Sequence, residues 1–185
     1  MDNGLLVAII VAVIILVLLA VVVGQRRRTQ RLQQRFGPEY ERAAARTGDR
    51  RAAESQLAGR ERRRRELKIV ELEPAARARY LGAWQVTQSR FVDDPAGATR
   101  EADELVARVM RDRGYPVEDF EQRAADVSVD HPHVAENYRA AHALYLANEG
   151  GLASTDDLRQ AFVHYRSLFA ELLGAERDGR REEAR

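Results

Sequence analysis

Cysteine is absent from all 185 residues, which removes disulfides, a thiolate nucleophile and cysteine-ligated zinc, and suits a reducing compartment. Lysine is nearly absent too, since Lys68 is the single lysine among thirty basic residues. Arginine and alanine take its place, the coding habit of a GC-rich bacterial genome. No nucleophile elbow, glycine-rich phosphate loop, His-Glu-x-x-His pair or dinucleotide fingerprint occurs. The expectation is a protein without catalytic activity and without a bound cofactor or metal. Alternating runs of the β type are missing as well, so the predicted fold class is all-α.

What is present begins at Leu5. Nineteen uncharged, almost purely aliphatic residues run to Val23, and as a helix they span about 28 Å, close to the hydrocarbon thickness of a bilayer. Residues 1–24 therefore read as a single-pass transmembrane anchor. A cleaved signal would carry positive charge ahead of a shorter apolar core and small residues at a cleavage site. Here the leading residues are Met1-Asp2-Asn3-Gly4, and the charge follows instead, as Arg26, Arg27, Arg28 and Arg31. By the positive-inside rule these membrane-flanking arginines stay in the cytoplasm, which places the N-terminus outside and the rest of the chain inside a bacterial cytoplasmic membrane. Ala8 with Ala12 and Ala20 with Gly24 have the spacing that lets membrane helices approach, although a passive anchor is the plainer reading.

The net charge of +1 conceals a division. From Arg26 to Arg79 there are 17 basic and 8 acidic residues, whereas Tyr80 to Arg185 hold 13 basic and 20 acidic. Ten of the twelve aromatic residues lie between Tyr80 and Phe169. A core of modest size is expected in the carboxy-terminal part. Residues 25–72 read as a basic helical stalk: the membrane helix continues to Phe36, Gly37-Pro38 breaks it, and beyond the break the large apolar residues Tyr40, Leu57 and Leu67 define no sustained face.

Residues 73–174 change character, and the pattern predicts a helical bundle of about five short helices. Tyr80, Trp84, Thr87 and Phe91 share a face, as do Ala98, Ala102, Leu105 and Val109, then Phe120, Ala124 and Val127, and finally Leu158, Phe162, Tyr165, Phe169 and Leu172. Asp94-Pro95 and Asp130-His131-Pro132 read as helix starts, Ser154 with Asp157 as a capping box, and Gly114, Gly150-Gly151 and Gly174 as helix ends. The charged stretch 175–185 is expected to be a disordered tail.

Three clusters invite chemistry. Asp130, His131, His133, His142 and His164 carry metal-ligating groups, but at spacings that share no helix face, so capping and packing are the expected roles. Asp93-Asp94 and Asp156-Asp157 resemble paired carboxylates for hydrolysis, yet each stands where a helix begins and favours the helix dipole. The third cluster is Arg60, Arg62, Arg63, Arg64 and Arg65. A straight stalk would hold it tens of Å from the bilayer, and it could then fold back onto lipid, bind nucleic acid phosphates or dock on the acidic carboxy-terminal half. Docking is the first expectation, because nucleic acid would want interleaved aromatics and no acidic neighbour.

The blocks Phe36-Gly-Pro-Glu-Tyr40, Phe91-Val-Asp-Asp-Pro95, Arg113-Gly-Tyr-Pro-Val-Glu-Asp-Phe120, Ser128-Val-Asp-His-Pro132, Asn137-Tyr-Arg-Ala-Ala-His142 and Leu158-Arg-Gln-Ala-Phe-Val-His-Tyr-Arg166 resemble a family of bacterial single-pass membrane-anchored helical proteins. The resemblance implies an amino-terminal anchor and a helical domain, and carries no activity or site residue with it. The expected function is a protein-interaction or scaffold module at the cytoplasmic face. Its expected partners are the lipid bilayer and another protein or a second copy of itself, with Trp84, Tyr115 and Tyr138 as aromatic contacts beside Arg60 to Arg65. The alternative is a membrane-tethered binder of nucleic acid or anionic lipid through Arg60 to Arg65.

Overall fold

A computed structural model describes residues 3–174. Eight helices follow one another: α1 (Asn3–Phe36), α2 (Pro38–Thr47), α3 (Arg50–Glu66), α4 (Pro74–Arg90), α5 (Pro95–Asp112), α6 (Phe120–Asp130), α7 (Pro132–Glu149) and α8 (Thr155–Leu172). No strand occurs among the described residues. The expected tail, 175–185, lies outside them.

Helix α1 carries the apolar run straight into the basic segment without interruption. It stops at Gly37, whose φ of 48° lies in the left-handed region that glycine tolerates, and Pro38 opens α2. Helix α2 ends after one more reversal, with Gly48 at φ 67°. Asp49 then caps α3 by accepting from the amides of Arg51 and Ala52. Two reversals leave α3 parallel to α1. The side chains record that register: Thr29 donates to Glu54 at 2.6 Å, and Arg31 and Arg35 both reach Glu61 at 3.3 Å.

The stretch read as a basic helical stalk is helical, and it folds back on itself as a packed hairpin. Leu32 and Phe36 of α1, Tyr40 and Ala43 of α2, Ala53 and Leu57 of α3 and Val129 of α6 form one buried cluster. The sequence pattern hid this face because two of its seven buried residues are alanine and because it includes an ion pair, Glu39 with Arg60, at positions that read as solvent. Packing of small residues lets helices approach closely, so a face can be real without large apolar side chains.

Helices α4–α8 form the five-helix bundle over a second, larger core. Trp84 sits between Phe162 and Phe169, with ring centroids 5.0 and 4.7 Å away, and the expected faces of α5 and α8 are buried. Asp94 caps α5 through the Gly97 amide, and Ser154 with Asp157 completes a reciprocal capping box on α8. Asp130 departs from expectation. The cap of α7 is His131, which makes no side-chain cap bond, because Asp130 accepts instead from Arg64 and Tyr115.

The link between hairpin and bundle, residues 67–73, is strapped to the end of α5. The Val70 amide donates to the Arg113 carbonyl at 2.9 Å, while the Arg113 guanidinium donates to the carbonyls of Val70 and Leu172. Gly114, at φ 92°, makes this possible, since a Cβ there would meet the Lys68 carbonyl oxygen at 2.5 Å. The hairpin core and the bundle core are thus tied through α6, α7 and this strap. Leu57→Ala, at a fully buried site of the smaller core, should lower the unfolding free energy by about 2–5 kcal/mol. Because Trp84 is the only tryptophan and lies in the other core, its fluorescence in denaturant titrations reports whether both cores melt together. An unchanged Trp84 midpoint would mean that they do not.

Candidate functional site

Glu39, at the start of α2, is 1% exposed and still ionised. Arg60 of α3 donates to it at 2.8 Å, and Arg139 of α7 reaches both of its oxygens at 3.2 and 3.4 Å. Burial raises the carboxyl pKa, and the two guanidinium groups more than offset this, leaving it below the ordinary carboxylate value. Burial draws Arg60 downward in turn, with Glu39 opposing. Arg60 also donates to the Ser128 hydroxyl at 3.0 Å, and Arg139 donates to Glu121 at 2.7 Å. Every charge in this layer has a fixed partner, as a buried ion pair requires.

The rest of the arginine cluster meets α6. Arg63 lies 3.4 Å from the fully buried Asp126, and Arg64 donates to Asp130. Of the five arginines, Arg60 is buried and Arg64 partly buried, whereas Arg62, Arg63 and Arg65 are exposed. Only Arg62 and Arg65 have no ion-pair partner among the described residues. The cluster therefore docks on acidic side chains of its own chain, which leaves little of it to hold a phosphate backbone. The three aromatic contact candidates are placed inward as well. Trp84 is 6% exposed, Tyr115 3% and Tyr138 0%, because each completes a core face, so none is available to a partner. Arg26, Arg27 and Arg28 are exposed near the end of the apolar run, and Arg31 is engaged with Glu61.

The metal hypothesis finds no support in geometry, as no group of three or more potential ligands converges among the described residues. His131 Nδ1 donates to Glu171 at 2.7 Å, His133 is exposed, and His142 stacks on Phe120 with centroids 3.6 Å apart. Asp94 and Asp157 are caps, while Asp156 pairs with Arg159. Sequence reasoning missed a different grouping. The hydroxyls of Tyr138 and Tyr165, both on core faces, stand in the field of Asp103, and His142 Nδ1 lies 3.8 Å from Asp103. Burial and then Asp103 push both hydroxyls far above the usual phenol value. These tyrosines hold their protons and act as neutral polar groups within the core.

One open groove has the composition of a contact surface. It lies between α4 and α8 and is lined by Gln88, Phe91, Phe162 and Val163, with Arg159 and Arg166 on its rim. Val163 is 47% exposed and the neighbouring Val92 83%. Exposed apolar side chains grouped beside polar ones mark association surfaces more often than isolated ones do. Arg166 gives this surface a positive border, while Arg159 beside it is paired with Asp156.

The ion layer makes acid its weakness. Glu39 titrates near 4.5 when unfolded and lower when folded, so its contribution is complete above 4.5 and is lost as pH falls through the folded value. His131 is depressed below 6.5 chiefly by burial, despite Glu171. As pH drops below 6.5 the unfolded chain takes up that proton first, and stability declines. The unfolding free energy should accordingly fall in two steps, and His131→Gln should flatten the upper one in pH-dependent denaturant titrations. Glu39→Gln should cost about 3–5 kcal/mol at neutral pH, because Arg60 and Arg139 are left buried without a counter-charge.

The chain matches no family model, no curated protein and no solved structure.

Proposed function

We propose that this protein is a membrane-anchored interaction module: α1 crosses the bilayer once, and the helical domain works as a docking platform at the cytoplasmic face. The observation that carries the reading is the continuity of α1. The apolar segment is long enough to span a membrane, with mean hydropathy 2.3 and none of it buried against the rest of the molecule. The same helix, without a break, contributes Leu32 and Phe36 to a core that is fully buried. An anchor joined in this way holds its domain at a set distance and orientation, which suits recruitment better than a tether on a loose linker. The arginines that follow the span argue for an outside N-terminus.

The groove between α4 and α8 supplies the docking surface in this reading. Its apolar floor and its border of Arg159 and Arg166 fit a protein segment that offers an apolar side chain flanked by carboxylates. Nucleic acid is disfavoured, because Arg60, Arg63 and Arg64 are already engaged with Glu39, Asp126 and Asp130.

The full-length protein should stay with membranes through a high-pH wash and leave them only with detergent, and deletion of residues 5–23 should release it. A cysteine at Asn3 would be the sole thiol and should be labelled by an impermeant maleimide in cells stripped of outer barriers. Recovery of the intact protein in the soluble fraction would refute the anchor. A photo-crosslinking side chain at Val163 should give discrete protein adducts that disappear with Arg159→Glu and Arg166→Glu together. Adducts indifferent to that reversal would refute the groove.

A further inference from the structure

The turn between α2 and α3 returns to the level at which the apolar run of α1 ends. The register is set by Thr29 with Glu54 and by Arg31 and Arg35 with Glu61. Helix α3 runs parallel to α1, so its first residues lie one turn, about 5 Å, nearer the apolar segment than Glu54 does. Arg50 and Arg51 are those residues. They line a cleft of 430 Å³ together with Gln25, Arg28, Thr29, Glu54 and Ser55, and Arg50 also faces Val22 and Arg26 across an adjoining depression.

Three guanidinium groups, from Arg28, Arg50 and Arg51, thus gather from two helices around the cleft, and a fourth, Arg26, borders the adjoining depression that Arg50 shares and that reaches Val22, within the apolar run. All four are exposed, and none has a carboxylate within ion-pair distance among the described residues. Glu54 is the one carboxylate of the cleft, and its Oε1 already accepts from the hydroxyls of Thr29 and Tyr40. This contrasts with Arg60, Arg63 and Arg64, which face carboxylates of α2 and α6. Arg60, Arg63 and Arg64 are neutralised where they meet α2 and α6, whereas Arg26, Arg28, Arg50 and Arg51 stay open beside the end of the apolar run.

Resting on the single-pass anchor proposed above, we infer that Arg28, Arg50 and Arg51, with Arg26 at the adjoining depression, form a binding site for the phosphate of an anionic phospholipid in the leaflet that α1 leaves. Guanidinium donors fork onto phosphate oxygens, and basic residues adjacent to a membrane span attract anionic headgroups strongly. The site needs the folded hairpin. In a straight stalk Arg50 and Arg51 would lie far along the chain from Arg26, whereas the reversals at Gly37 and Gly48 bring the two pairs together. Lipid bound there would bridge α1 and the α2–α3 turn and hold the domain close against the bilayer.

The test uses the full chain in nanodiscs of phosphatidylcholine alone or mixed with phosphatidylglycerol. Hydrogen exchange is followed at residues 47–55, and retained lipids are identified by native mass spectrometry. Wild type should keep phosphatidylglycerol in preference to phosphatidylcholine and show slower exchange in the mixed discs. Arg50→Gln with Arg51→Gln removes two exposed side chains, and should weaken the preference on the order of tenfold to thirtyfold without changing the Trp84 unfolding midpoint. Arg62→Gln with Arg65→Gln serves as the control and should keep the preference.

Equal preference in wild type and the Arg50/Arg51 variant would overturn the inference, as would an equal loss in the control. Protection of the turn by inorganic phosphate in neutral detergent, matching that in mixed discs, would assign the site to a soluble anion and overturn it as well. Failure of the chain to enter discs at all would refute the anchor itself, an outcome separate from insertion without lipid preference.

Discussion

The structure depends on a carboxylate that has been taken out of water and cannot stand alone. Glu39 is held by Arg60 from one side and by Arg139 from the other, so it joins α2, α3 and α7 in a single electrostatic contact. Isolated in the interior it would cost several kcal/mol or take up a proton. Between two guanidinium groups it stays charged, and the three helices can sit in only one mutual register. The hairpin that follows α1 is placed by this contact, and through it α1 is placed relative to the bundle.

Charge is distributed along the chain to serve the same arrangement. The basic half and the acidic half attract across the surface where α3 lies on α6, through Arg63 with Asp126 and Arg64 with Asp130. Arg63 is half exposed while Asp126 is fully buried, so salt screens this pair only in part, and the Glu39 layer still less. The exposed pairs, such as Arg100 with Glu149, add little to stability. Association of the two halves therefore rests on the few charges that are desolvated, with the apolar contacts of Leu57 and Val129 beside them.

Much of this was legible in the residues, and the rest was hidden for identifiable reasons. The caps at Asp94 and Ser154, the end of α1 at Gly37-Pro38, and the core stripe from Leu158 to Leu172 follow from local chemistry acting within one turn. The fold of residues 38–66 does not. Its buried face uses alanine and a charged pair whose members are 21 residues apart, and no local pattern announces that Glu39 and Arg60 will meet. The aromatic candidates failed on the same ground: a tryptophan or tyrosine on a helical stripe can serve a core or a partner, and Trp84, Tyr115 and Tyr138 serve the core. Docking of the arginine cluster onto acidic side chains was readable from the division of charge, although the particular partners were not. The Tyr138–Tyr165–Asp103 grouping was invisible, since its members come from α5, α7 and α8.

Because α1 passes from its apolar run into the packed hairpin without a joint, the bearing of the whole domain about the axis of α1 is coded by residue count. Each residue inserted between Val23 and Thr29 would turn the domain by about 100° and shift it about 1.5 Å along the helix, carrying the α4–α8 groove to a different bearing about that axis. Length in that short segment is consequently a steering parameter: two chains of equal stability, differing by one residue there, would present flanks a little over a quarter-turn apart.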